Sequence, residues 1–243
     1  MSSHRPGRLR ASAIIVAAGE GKRFGGEIRK PYLDLNGKPI LLHSVSAFAD
    51  VDAVAEIIVV VNAADMDMVK ERWGEALRAV KATDICIGGA TRQESVIQGL
   101  AHVAETAELV AIHDAVRPLV SPDLIRQAIE TAARVGAAML AAPVKATIKD
   151  VGSDRFIRAT IPRKTLWAAQ TPQVFRRDLI LRAYERARRD GFQATDDAEL
   201  VERLGEPVAV VESSDENIKI TTPDDLLLAR ALAAHLGGRS FPK

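Results

Sequence analysis

The sequence has a single cysteine among its 243 residues, and only 4% of them are aromatic. With Cys86 alone, an internal disulfide and a cysteine-cluster zinc site are both excluded, which is typical of proteins in a reducing compartment. We therefore expect a cytoplasmic protein. No apolar run approaches membrane-spanning length, so we predict no membrane partner. The first ten residues are polar and basic without the apolar core of a signal peptide, and we expect residues 1–10 to form a disordered tail.

An excess of one charge sign is also absent. The chain carries 33 lysines and arginines against 32 acids, a net charge of +1. Bulk binding to nucleic acid is therefore not expected, and any recognition of phosphate must be local. The length and the 47% hydrophobic content fit one sizeable core, so we predict a single domain over residues 1–243.

Two familiar phosphate loops are missing from the segment after the first apolar run. A Walker A loop needs Ser or Thr after its Gly-Lys pair, but Arg23 follows Gly21-Lys22. A dinucleotide fingerprint needs a third glycine where Phe24 stands. A P-loop enzyme is therefore excluded, and a hydride-transfer enzyme is disfavoured.

The same segment nevertheless has the features of an anion site. A β-branched run ends in Ala17, Ala18 and Gly19, which predicts a buried strand that delivers small residues to the end of a sheet. Small side chains allow a ligand to approach the backbone closely. The bases that follow supply positive charge; they are Lys22, Arg23, Arg29 and Lys30. We infer a site for an anion, most simply a triphosphate.

Apolar runs and amphipathic stretches alternate along most of the chain. This alternation predicts a mainly parallel, doubly wound α/β sheet flanked by helices. Besides the first run, strands are predicted over residues 55–61, 85–87, 109–114, 137–142, 208–211 and 217–221.

Residues 143–165 break this alternation. Apolar and polar residues roughly alternate over residues 144–149 and 155–161, with a turn at 150–154 between them. This pattern predicts a protruding β-hairpin arm. Because an isolated two-stranded ribbon is marginal in water, we expect a second copy of the chain to supply the surface it needs, giving a homodimer.

Two further segments place polar groups at predicted strand ends. Thr91 follows two glycines and precedes Glu94 by three residues, which predicts a capped helix N-terminus able to bind a nucleotide. Asp114 ends a buried strand and is the best candidate for a Mg²⁺ ligand, although Arg117 is an alternative ion-pair partner for it. His113 is expected to be a hydrogen-bonded, partly buried residue and not a metal ligand.

Taken together, these motifs resemble the 2-C-methyl-D-erythritol 4-phosphate cytidylyltransferase family over nearly the whole chain. The segments that carry the resemblance are 17–30, 88–96, 113–118, 170–173 and 217–221. The resemblance implies a Rossmann-like nucleotide-diphospho-sugar transferase fold and a homodimer joined by the arm. It also implies Mg²⁺-dependent transfer of CMP from CTP to 2-C-methyl-D-erythritol 4-phosphate, with release of diphosphate, in non-mevalonate isoprenoid biosynthesis.

The resemblance also implies roles for individual residues. Arg23 and Lys30 would stabilise the transition state, and Lys219 would be a further base at the phosphates. Asp114 would bind Mg²⁺. The acceptor would contact Thr147, Arg163 and Arg117. The cytidine nucleotide would contact Ala17, Ala18, Gly19, Gly89, Ala90 and Ser95.

Three features depart from the family pattern. Lys30 stands between Arg29 and Pro31, where the family often places proline before the lysine, and Ala90 replaces an acid found in some members. A second metal carboxylate is expected near Asn217, and the sequence leaves Asp215 and Glu216 both open.

Two alternatives remain at this point. One is a cytidylyltransferase for another polyol phosphate, such as ribitol 5-phosphate, which the acceptor-contacting arm would distinguish. The other is a nucleotide-binding regulator that has lost turnover. Retention of both Arg23 and Lys30 argues against the regulator, because binding alone does not require charge aimed at the transition state.

Overall fold

The computed structural model describes residues 9–19 and 28–237, so most of the predicted tail lies outside the described residues. The strands are β1 Ala11–Val16, β2 Asp34–Leu35, β3 Lys38–Pro39, β4 Val54–Val61, β5 Ala82–Ile87, β6 Leu109–Asp114, β7 Ala137–Pro143, β8 Ile148–Val151, β9 Ile157–Ile161, β10 Trp167–Arg176 and β11 Ala209–Glu212. The α-helices are α1 Ile40–Ala49, α2 Met66–Ala79, α3 Arg92–Ala101, α4 Pro122–Val135, α5 Arg177–Asp190, α6 Asp197–Glu202 and α7 Pro223–Gly237. Short 3₁₀ turns span Lys30–Tyr32, Ala63–Asp65 and Arg163–Thr165.

Seven strands form the central sheet in the order β11-β7-β10-β6-β1-β4-β5. Strand β10 runs antiparallel to both of its neighbours, while the other neighbouring pairs are parallel. The predicted mainly parallel sheet flanked by helices is therefore confirmed.

Strand β1 lies at the point where the strand order reverses. The chain builds outward from β1 through β4 to β5 and then returns to place β6 on the other side of β1. Val16, the last residue of β1, is in register with Val60 of β4 and with Asp114 of β6. Ligands of open α/β sheets bind at such a reversal, beyond the carboxyl ends of the strands.

Alternate residues of the central strands face two separate cores. In β1, Ala13 and Ile15 face one core, packed mainly beneath α1, α2 and α4. Ile14 faces the other, beneath α3, α5 and α6. Because β1 is covered on both faces, its residues 13–16 are an uninterrupted apolar run, as the sequence indicates, and the buried Ser12 is hydrogen-bonded to Glu56.

A hairpin is present within the predicted arm, but its first strand spans 148–151 and not 144–149, and its second strand begins two residues later than predicted. Strands β8 and β9 pair with each other in a separate two-stranded antiparallel sheet, with Ile148 opposite Ile161. Phe156 in its turn is 74% exposed, and Ile157, the first residue of β9, is 63% exposed. The arm therefore presents apolar side chains that the described residues leave exposed.

One predicted strand, over residues 217–221, is wrong. The segment is irregular, and its Ile220 N–H donates to Val116 O. Its buried Asn217 instead donates from Nδ2 to Gln170 Oε1 and Thr171 O. These side-chain contacts take the place of a strand ladder. Strand β5 also begins three residues earlier than the prediction.

Candidate active site at the strand ends

An open cleft of about 400 Å³ lies beyond the carboxyl ends of β1, β4 and β6. Nine of the residues predicted for the site line it: Ala17, Ala18, Gly19, Lys30, Gly89, Ala90, Ser95, Asp114 and Lys219. Parallel strands that end at one edge bring together segments that are far apart in the sequence, which explains this convergence. Arg23, the remaining predicted catalytic residue, lies outside the described residues.

Small residues shape one wall of the cleft. Ala17 and Ala18 are buried, and no atom of the described residues lies within 4 Å of the position that a Cβ atom would occupy at Gly19. At Gly88 a Cβ would lie 2.6 Å from Ala18 Cβ and 2.7 Å from Ser95 Oγ. Gly88 is therefore needed for the loop to pack closely on Ala18, just after β1, whereas the described residues leave space beside Gly19.

The loop after β5 is fixed by the cap of α3. Thr91 Oγ1 accepts from Glu94 N–H at 3.1 Å, and Glu94 Oε2 accepts from Ala90 N–H at 2.7 Å. The predicted capping arrangement is thus present, with the glutamate reaching one residue further back than in a standard capping box. Since Ala90 N–H is already paired, a nucleotide can use that donor only if Glu94 moves.

Asp114 is held between two cations at the floor of the cleft. Its Oδ1 accepts from Arg92 Nε at 2.9 Å, and its Oδ2 accepts from Lys219 Nζ at 2.6 Å. Burial alone raises the pKa of Asp114, but the charges of Arg92 and Lys219 outweigh it and hold the pKa well below its ordinary value. The carboxylate is therefore ionised throughout the physiological pH range.

His113 is fully buried behind Asp114 and makes two hydrogen bonds. Its Nε2 lies 3.1 Å from Arg117 O, which only accepts, so Nε2 carries the proton and Nδ1 accepts from Thr171 Oγ1 at 3.0 Å. Thr171 Oγ1 in turn accepts from Asp114 N–H at 3.0 Å. Burial lowers the pKa of His113 to about 4, so the ring is neutral near pH 7 and helps to fix the end of β6.

The sequence was compared with models of known protein families, and one family model matches most of the chain. The model for 2-C-methyl-D-erythritol 4-phosphate cytidylyltransferase (IspD) matches residues 11–235. The chain belongs to this family.

Individual relatives agree with this assignment. The 2-C-methyl-D-erythritol 4-phosphate cytidylyltransferase of Syntrophus aciditrophicus is 44% identical over 93% of this chain and 97% of its own length. The crystal structure of the Anaerococcus prevotii 4-diphosphocytidyl-2C-methyl-D-erythritol synthase superposes with a TM-score of 0.82 at 33% identity, covering 93% of this chain and 96% of that one. The Thermus thermophilus cytidylyltransferase gives 0.77 at 36% identity, covering 93% and 100%.

The residues that were predicted to contact the acceptor substrate are not among those that line the cleft. Thr147 and Arg163 are exposed at the base of the arm, where Arg163 Nη1 donates to Lys145 O. Arg117 is buried and donates from Nη1 to Asn217 O at 2.7 Å and from Nη2 to Ala169 O at 3.4 Å. Among the described residues, the ion-pair partners of Asp114 are Arg92 and Lys219, so the ion pair considered for Arg117 is not formed.

Arg92 also lines the cleft, and it was not among the predicted site residues. Its guanidinium bridges two acids, donating from Nε to Asp114 and from Nη2 to Asp197 Oδ2 at 2.8 Å. Tyr184 donates its hydroxyl proton to the other oxygen of the fully buried Asp197. The available signal was the position of Arg92, directly after the cap residue Thr91 in the glycine-containing loop. Asn62 and Thr221 also line the cleft and were not predicted.

A divalent metal is implied by the family, and the donor set of the cleft fits Mg²⁺. Among the described residues, no three His, Cys, Asp or Glu side chains are grouped as a protein-only metal site. Mg²⁺ does not need such a cage, because it takes one or two carboxylates together with phosphate oxygens and water. Asp114 offers one carboxylate at the cleft floor. Asp215 and Glu216 are not among the residues that line the cleft, and Asp215 pairs with Lys145 at 2.5 Å.

Proposed function

We propose that the cleft binds CTP and carries out the reaction of the family, transfer of CMP to 2-C-methyl-D-erythritol 4-phosphate. A phosphate oxygen of the acceptor attacks the α-phosphorus of CTP and forms a new P–O bond. The bond from the α-phosphorus to the oxygen bridging the α- and β-phosphorus atoms breaks, and its electron pair leaves with diphosphate. The single observation that carries the proposal is the convergence of Lys30, Lys219 and Asp114 with the loop Gly89–Thr91 in one cleft.

This reaction needs no nucleophilic side chain. The phosphate of the acceptor is already ionised at neutral pH and is a competent nucleophile, so no Ser, Cys or His base is required. The protein must instead hold two polyanions in line and cancel charge in the transition state. Fixed cations in a partly closed cleft do both.

We assign these electrostatic roles to three bases. Lys30 faces the cleft from the turn Lys30–Tyr32, and Lys219 faces it from the irregular segment that crosses Val116. Both lysines would contact phosphate oxygens, and Arg23 would join them. The nucleoside would lie against Ala17, Ala18 and Gly19 on one side and Gly89, Ala90 and Ser95 on the other.

We further propose that Asp114 is the carboxylate ligand of the bound Mg²⁺. The ion would neutralise charge on the triphosphate. In the cleft, Lys219 Nζ donates to Asp114 Oδ2. Binding of CTP would therefore draw Lys219 from the carboxylate to the phosphates, which exposes Oδ2 to the metal.

Dimerisation through the arm also belongs to the proposal. Val151, Phe156 and Ile157 are exposed apolar residues of the arm, and a second copy of the chain would cover them. In such a dimer Thr147 and Arg163 would reach the acceptor in the partner's cleft, which accounts for their position outside the cleft of their own chain. The cytoplasmic location stays a prediction. Among the described residues, no helix is both long and apolar enough to span a membrane.

The test is diphosphate release from CTP and Mg²⁺ with 2-C-methyl-D-erythritol 4-phosphate, run beside ribitol 5-phosphate and a control without acceptor. We expect release with the first acceptor alone. Release with ribitol 5-phosphate alone would keep the nucleotide site and overturn the acceptor assignment. Tight binding of CTP with no release of diphosphate under any of these three conditions would favour the nucleotide-binding regulator.

A further inference from the structure

The turn that follows β4 is bonded to both sides of the segment between Gly19 and Ile28. On the upstream side, Asn62 Nδ2 donates to Ala18 O at 3.4 Å. On the downstream side, Arg29 Nη1 donates to Asp65 Oδ1 in an ion pair. The residues Asn62–Asp65 therefore hold the two flanks of the segment that precedes Lys30.

This turn is itself rigidly built. Asn62 Oδ1 caps it by accepting from Ala64 N–H at 3.0 Å, and Asp65 N–H donates to Asn62 O at 2.9 Å. The Asp65 side chain is only 11% exposed and that of Arg29 only 27%. A largely desolvated ion pair is screened less by salt than a surface pair, so it fixes geometry more firmly.

A second anchor lies on the other side of Lys30. The ring of Tyr32 is buried and stacks on Trp73 of α2, with ring centroids 5.5 Å apart and planes at 19°. Tyr32 N–H donates to Arg29 O at 3.0 Å, which closes a 3₁₀ turn around Lys30. Burial raises the pKa of Tyr32 and the neighbouring charge of Asp65 raises it further, so the ring is a neutral packing group.

We propose that Asp65 is a positioning residue for CMP transfer, which places Lys30 through its ion pair with Arg29. This inference rests on the proposed function of the cleft. Lys30 lies between Arg29, paired with Asp65, and Tyr32, stacked on Trp73. Among the described residues, the turn after β4 and helix α2 therefore hold the backbone on both sides of Lys30. Asp65 is not among the residues that line the cleft, so it acts through Lys30.

The effect of removing this ion pair should appear in the chemical step. A displacement of about 1 Å in a group that stabilises the transition state costs on the order of a hundredfold in rate. We expect Asp65→Asn to lower kcat by about ten- to a hundredfold while the Kd for CTP changes by less than about twofold. Asp65→Glu, which keeps the charge, should recover part of the loss. Arg29→Gln alters the more exposed partner and should reproduce the kcat defect of Asp65→Asn.

The deciding experiment is a double-mutant cycle with Lys30→Ala. If Asp65 acts through Lys30, Asp65→Asn lowers kcat in the wild-type chain but not in the Lys30→Ala chain. An equal fold loss in both backgrounds, or a wild-type kcat for Asp65→Asn and Arg29→Gln, would overturn the inference. Asp123→Asn removes an exposed ion pair with Arg126 on α4 and serves as the matched control, with an unchanged kcat expected. The wild-type rate in the same assay tests the proposed function separately.

Discussion

The cleft and the arm are both predicted to contact substrate, but they are built in opposite ways. In the cleft, Asp114 has a cation on each oxygen and its backbone N–H is bonded to Thr171. In the arm, Phe156 and Ile157 are more than half exposed and the two strands pair only with each other. These contrasts support the proposal that one chain forms the nucleotide site and that a second chain is needed to complete the acceptor site. This difference predicts that changes in the cleft affect catalysis directly and that changes in the arm act through assembly.

The largest expected effect comes from the cleft, in Lys30→Ala. A preorganised donor aimed at transition-state charge contributes about 3 kcal/mol, so kcat should fall by about a hundred- to a thousandfold. The backbone of Lys30 stays fixed by the Arg29 and Tyr32 anchors, so the thermal unfolding midpoint should change little. Steady-state kinetics and circular dichroism measure the two quantities. Near-normal turnover would remove Lys30 from the mechanism.

The next largest effect is a loss of unfolding free energy at acidic pH, caused by the buried His113. A histidine with its ordinary pKa of 6.5 in the unfolded chain takes up a proton below that pH, whereas folded His113 stays neutral down to about pH 4. The unfolded state therefore binds more protons in this window, and stability falls as the pH drops from about 6.5 to about 4. This group alone should remove about 2 kcal/mol of unfolding free energy between pH 7 and pH 5.

Urea unfolding at both pH values measures this effect. His113→Gln lacks the titrating ring, so it should be less stable at pH 7 yet lose less stability on acidification than the wild-type chain. An identical loss in the two proteins would show that other groups govern acid stability.

A smaller effect is expected from the arm, in Phe156→Asp. A charge on the exposed apolar tip should prevent a second copy from covering it, and light scattering should report a monomer. If Thr147 and Arg163 act across the dimer, the KM for the acceptor should rise about tenfold, equivalent to about 1.4 kcal/mol, while the Kd for CTP is unchanged. A monomeric wild-type protein that turns over normally would contradict the role of the arm.

The sequence was most informative where local pattern determines structure. Strand β1 is buried on both faces, so its residues 13–16 are an uninterrupted apolar run, and this run leads into Ala17, Ala18 and Gly19. The hairpin arm was also predictable, because alternation and a turn are local features. The parallel topology then brings residues at strand ends to one edge, so the cleft follows from the fold.

Contacts between distant segments could not be predicted in the same way. Arg92 and Asp197 are 105 positions apart, and no local pattern pairs them. The segment 217–221 has the composition of a strand but lies where Asn217 bonds to side-chain and backbone groups of β10. The alternative that Arg117 pairs with Asp114 could not be decided from the sequence, because the cations that do pair with this carboxylate, Arg92 and Lys219, come near it in three dimensions only.

The smallest expected effects come from removing one threonine hydroxyl group in the cleft and one in the arm. Thr91 Oγ1 caps α3 at the edge of the cleft, and Thr160 Oγ1 accepts from Lys149 Nζ at 2.7 Å on the exposed arm. Loss of a helix cap costs about 1 kcal/mol, whereas an exposed contact of this kind contributes within about 0.5 kcal/mol. We expect Thr91→Ala to lower the unfolding free energy by about 1 kcal/mol and Thr160→Ala to leave it unchanged.

The same two variants should also differ in their affinity for CTP. Because Thr91 fixes the loop Gly89–Thr91 that lines the cleft, Thr91→Ala should also weaken CTP binding by a few fold in calorimetry, and Thr160→Ala should not. Equal stability losses in the two variants would mean that the arm is as tightly held within one chain as the cleft. In that case the arm would not need a second chain to complete it, and the contrast between the two regions would fail.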